Sequence, residues 1–83
     1  MTDTKRFPTF KVTGNLECDL RSGLATLSFV EEGGDSQVKY WHMVEPRKGG
    51  APILLEFDKD HRLIDIEFQD FGYLPKSVAE RLE

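Results

Sequence analysis

Two short runs near the C-terminus constrain this chain more than any other feature. Across residues 52–58, Ile53, Leu55 and Phe57 share one parity, and Glu56 and Asp58 share the other. Across 62–70, Ile64, Ile66 and Phe68 alternate with Asp65, Glu67 and Gln69. A period of two is the mark of a strand with one dry and one wet face. The connection Lys59-Asp60-His61 is short and polar. The two runs therefore predict a β-hairpin.

The same alternation recurs upstream. Phe10, Val12, Gly14, Leu16, Cys18 and Leu20 oppose Lys11, Thr13, Asn15, Glu17 and Asp19 in parity, which predicts a first strand over 10–20. Gly14 interrupts its apolar side and is expected to mark a bulge or bend. Residues 19–23 read as a turn in which Gly23 supplies a positive φ. A second strand follows over 24–30, with Ala25, Leu27 and Phe29 on one side, and a polar loop runs from Glu31 to Ser36. Residues 38–45 form the third strand. There Val38, Tyr40, His42 and Val44 make one face, while Trp41 and Met43 put large apolar groups on the other. Such a strand is expected to be covered on both sides, by the domain itself or by another chain.

After Phe71-Gly72-Tyr73-Leu74, Pro75 suits the first position of a helix, and 75–82 reads as two turns with Val78 and Leu82 on one side. A helix this short must dock on the sheet to persist. The predicted fold class is α+β, mainly β: an antiparallel meander of about five strands with one short C-terminal helix. A length of 83 residues allows one small domain, with residues 1–8 expected to fray.

Composition narrows the function. Hydrophobic residues are 39% and charged residues 31%, too apolar for a disordered tail. Residues 49–83 carry the whole net charge of −4, and no basic cluster exceeds a pair. Nucleic acid and anionic membrane surfaces, which need basic patches, are disfavoured partners. No apolar run is long enough to span a bilayer, and no apolar segment of a signal peptide follows Lys5 and Arg6. With Cys18 as the only cysteine, an internal disulfide is impossible, and the expected location is cytoplasmic.

The segment Leu55-Glu56-Phe57-Asp58-Lys59-Asp60-His61-Arg62-Leu63-Ile64-Asp65-Ile66-Glu67-Phe68 resembles the closing hairpin of the Domain of Unknown Function 2283 family of small prokaryotic proteins. Glu17 to Phe29 looks like that family's first hairpin, so the resemblance covers about residues 16–83. His61 and Asp65 stand where the family has glycines. The resemblance implies a positive φ at His61, so that His61→Gly is expected to stabilise the domain by about 1 kcal/mol. It implies no established activity. The toxin-like gene neighbours of some members imply a protein-binding, antitoxin-like role.

Several residues invite chemistry. Glu56, Asp58, Asp60, Asp65, Glu67 and Asp70 crowd one hairpin, and Asp58-Lys59-Asp60 mimics the start of a calcium loop. The loop's glycine and flanking helices are missing, so a solvated face with turn-forming Asp residues is the plainer reading. Glu56 and Glu67 are candidates for a cross-strand carboxylate pair with one raised pKa. His61 reads as a turn residue, His42 as a core or interface histidine, and Cys18 as a small buried hydrophobe. No metal and no cofactor are expected. Tyr40, Trp41, His42 and Met43 are the interface candidates, because aromatic residues and Met are enriched where proteins meet. The leading expectation is a small interaction module, a homodimer or a partner-binding protein. An enzyme using the acidic hairpin and a small-ligand binder with a pocket between sheet and helix are the alternatives.

Overall fold

The computed structural model describes residues 8–29 and 37–82. It contains five strands, β1 (Gly14–Asp19), β2 (Leu24–Phe29), β3 (Tyr40–Val44), β4 (Ile53–Phe57) and β5 (Leu63–Phe68), followed by the short helix α1 (Lys76–Ala79). All pairings are antiparallel in one sheet, and the strand order is β1-β2-β5-β4-β3. The expected class, a mainly β sheet with one short C-terminal helix, is the observed one. The order is not the sequential one of an unbroken meander. The β3-β4-β5 unit is itself a meander, but β5, not β3, lies beside β2.

Register sorts the side chains into rows. Two rows are apolar: Cys18, Ala25, Phe68, Ile53, Val44, and Leu16, Leu27, Ile66, Leu55, His42. The alternate rows are Glu17, Thr26, Glu67, Leu54, Met43, and Asn15, Ser28, Asp65, Glu56, Trp41. One face is thus apolar except for His42 at the β3 end. The other is acidic in the middle and apolar at the β3 end. Of the described residues, only Ala25, Ile64 and Leu74 are buried. Ile64 is the residue skipped when the β4–β5 register shifts from Phe57↔Leu63 to Glu56↔Asp65.

Turn chemistry closes the β1–β2 and β4–β5 hairpins. Between β1 and β2, Gly23 has φ +78° and its N–H donates to the Asp19 carbonyl at 2.9 Å. Between β4 and β5, His61 has φ +66°, as the resemblance implied. The tail is tied down by Tyr73, whose hydroxyl donates to the Ala51 carbonyl at 2.7 Å. Gly50 permits this approach, since a Cβ there would lie 2.7 Å from the Tyr73 hydroxyl.

Several expectations need correction. The first strand begins only at Gly14, which pairs regularly with Phe29 and does not bulge. Phe10 and Val12, placed on its apolar face by alternation, are 78% and 71% exposed, and Leu20 is exposed in the turn. The third strand is an edge strand and is exposed, not sandwiched. The helix has one turn, continued by a 3-10 turn over Glu80–Leu82, and Pro75 caps it in an extended conformation instead of opening it. Val30, the Glu31–Ser36 loop and residues 1–7 of the expected frayed start lie outside the described residues. Among the described residues no helix is long and apolar enough to cross a membrane.

Candidate functional site

The exposed edge strand β3 is the most unusual surface. Trp41 is 53% and Met43 54% exposed. They face the same side as their cross-strand partners, Glu56 and Leu54. Neither Trp41 nor Met43 is covered by the rest of the domain, so the expected covering of both sides of the strand within the chain is not observed. On the opposite side of the strand, Tyr40 stacks on Phe57 with centroids 5.1 Å apart and planes 12° apart. His42 meets both rings edge-on, at 5.6 Å from Tyr40 and 5.7 Å from Phe57. His61 approaches Tyr40 from the neighbouring turn, with Nδ1 2.8 Å from the Tyr40 hydroxyl. The interface candidates thus divide. Tyr40 and His42 belong to a four-ring cluster that stiffens the strand, while Trp41 and Met43 project from it.

The two sheet edges differ. Native proteins protect edges with charge, Pro, bulges or a covering element, because an edge offers unpaired backbone groups to any other strand. Edge β1 carries Glu17 and Asp19. Between Tyr40 and Val44 there is no charged residue and no Pro, and the β3–β4 register is regular. Lys39 and Glu45 flank the strand, both exposed, and both share the parity of Trp41 and Met43.

The acidic candidates do not converge as a pair. Glu56 is opposite Asp65, and Glu67 is opposite Leu54, one step diagonal. Partial burial, then the charges of Asp65 and Glu67, push the Glu56 carboxyl above its ordinary range. Asp58 serves the turn: its Oδ1 accepts the N–H of Asp60 at 2.8 Å and of Arg62 at 3.0 Å. Those donors, the Arg62 N–H foremost, hold its pKa below the usual value. Asp60 itself is exposed at the turn tip. Among the described residues no three His, Cys, Asp or Glu side chains are grouped to hold a metal ion. Cys18 is half-buried opposite Ala25. A shallow, open depression of about 260 Å³ is lined by Glu17, Cys18, Asp19, Leu24, Thr26 and Glu67, none of them from the helix.

Sequence reasoning missed Lys39 and Glu45. Their signal was present as opposite charges bracketing an uncharged strand, but it has meaning only once β3 is known to be an edge. No family model, no curated protein and no solved structure matches this chain.

Proposed function

We propose that this chain is a small cytoplasmic protein-association module that binds through the edge strand β3, not an enzyme. The observation that carries the reading is the pairing of Trp41 and Met43, both more than half exposed, with an edge that has no charge or Pro along its length. Large aromatic and thioether side chains are over-represented in interface centres, where their area is removed from water. Backbone groups along an edge add direction, since an incoming strand extends the sheet by main-chain hydrogen bonds. A single cysteine supports a reducing compartment.

The experiment is site-specific photo-crosslinking in living cells. A benzophenone amino acid replacing Trp41 should give one discrete adduct, and the same group replacing Glu17 on the other edge should not. No adduct from the Trp41 position, or equal adducts from both edges, would defeat the reading.

A further inference from the structure

The identity of the occupant is written in the order of residues along β3. An antiparallel partner strand placed beside an edge brings opposite residues onto the same face of the extended sheet. For two identical copies related by a two-fold axis, the register is then defined by whichever residue sits on the axis. Three choices keep the strand engaged, with Trp41, His42 or Met43 at the centre.

With His42 at the centre, Trp41 of one copy is opposite Met43 of the other, and Tyr40 is opposite Val44. Continuing outward, Lys39 is opposite Glu45 in both symmetric positions. One face of the joint thus reads as two apolar pairs bracketed by two opposite-charge pairs. Sulfur against an aromatic ring is a favourable contact, and opposite charges across strands support pairing. With Met43 at the centre, Lys39 would face Arg47, a like-charge pair, and Pro46 would enter the ladder without an N–H. With Trp41 at the centre, Lys39 would face Met43 and the charges would be unmatched. Only one register satisfies every residue from Lys39 to Glu45.

We propose that two copies of this chain pair β3 to β3, antiparallel, about a two-fold axis at His42, making one continuous ten-stranded sheet. This inference rests on β3 being the association strand and adds the partner and the register. The interface is isologous, so a single pattern serves both subunits. Along β3 itself Lys39 and Glu45 balance, so two chains of net charge −4 meet where neither strand carries excess charge.

The test exchanges the bracketing charges. Lys39→Glu and Glu45→Lys each place like charges opposite one another twice, and each should weaken the dimer about tenfold in sedimentation equilibrium. The double variant Lys39→Glu/Glu45→Lys should restore it. A mixture of the two single variants should form a heterodimer more stable than either homodimer. Circular dichroism of each variant separates lost pairing from lost folding, and the mixture works even if one variant alone is weakened. A dimer broken by Trp41→Glu but indifferent to both charge changes would overturn the register and leave β3 as the association strand. A wild-type monomer at high micromolar concentration would overturn pairing of copies. An adduct from the Trp41 position with a different protein would then still identify β3 as a binding strand, whereas no adduct would remove both.

Discussion

The Tyr40 hydroxyl lies 2.8 Å from Nδ1 of His61, so the edge strand is bonded to the one non-glycine residue with positive φ among the described residues. This contact joins two elements that the sequence separates by 21 positions. It also changes what His61 is for. A left-handed histidine costs about 1–2 kcal/mol relative to a relaxed backbone, and a hydrogen bond in an exposed position returns about 0.5–1.5 kcal/mol. The two effects are of similar size.

His61→Gly should therefore change stability by only a few tenths of a kcal/mol, not the gain of about 1 kcal/mol expected when strain alone is considered. Tyr40→Phe should cost about 0.5–1 kcal/mol in the wild-type background and nothing in the His61→Gly background. Urea denaturation of the four proteins of this cycle measures the coupling. A coupling of zero would show the bond to be idle.

Glu56 gives the sheet a pH dependence of defined sign. Its carboxyl is raised by burial and by the Asp65 and Glu67 charges, so the folded chain holds that proton to higher pH than the unfolded chain does. Its contribution to stability is greatest below the ordinary Glu range and falls as pH rises through it toward neutrality. Asp58 has the opposite sign, since its lowered pKa makes stability fall as pH drops below the ordinary Asp range. Glu56→Gln should raise the urea midpoint at pH 7 and flatten the decline between pH 4 and 7. An unchanged profile would mean that neither burial nor the Asp65 and Glu67 charges disfavour the ionised Glu56.

Divalent cations should not find a site on the β4–β5 turn. Oδ1 of Asp58 already accepts two backbone N–H groups, and a hard cation would have to displace them. Titration with Ca²⁺, Mg²⁺ or Mn²⁺ should leave the Asp58, Asp60 and Glu67 resonances unmoved at micromolar metal. Micromolar binding abolished by Asp58→Asn would overturn this and favour metal-dependent chemistry at the hairpin.

Gly50 and Tyr73 act as one unit. Gly50→Ala would bring a Cβ to 2.7 Å from the Tyr73 hydroxyl and break its bond to the Ala51 carbonyl. Each of Gly50→Ala and Tyr73→Phe should cost about 1 kcal/mol, and the double variant little more than one of them. Additive losses would show that Gly50 matters for some other reason.

Trp41→Glu should leave the fold intact. An exposed side chain away from any core contributes within about 0.5 kcal/mol to folding, and Trp41 is such a residue. Circular dichroism should be unchanged and the urea midpoint nearly so. Global unfolding would place Trp41 inside the domain.

The sequence alone determined that there are five strands, the alternation within β2, β4 and β5, the turns at Gly23 and His61 and a short C-terminal helix, but not where the first strand begins or which residues of β3 are covered. These are local properties: the parity of Ile53, Leu55 and Phe57, or the glycine at 23, is set by the neighbours along the chain and needs no partner to be read. The turn at His61 was legible locally, and histidine tolerates a left-handed backbone better than most residues, but a short polar turn does not by itself say which of its residues takes that conformation. Tertiary structure decided the order of the strands. Whether β3 or β5 takes the free edge of β2, and so whether β3 lies inside the sheet or at its edge, depends on competition among distant pairings after their loops close. That single choice carries the candidate site. Beside β2, the backbone of β3 would be paired on both sides, and Lys39 and Glu45 would be incidental. At the edge Lys39, Trp41, Met43 and Glu45 become a self-complementary strand, and alternation along one segment cannot tell the two cases apart.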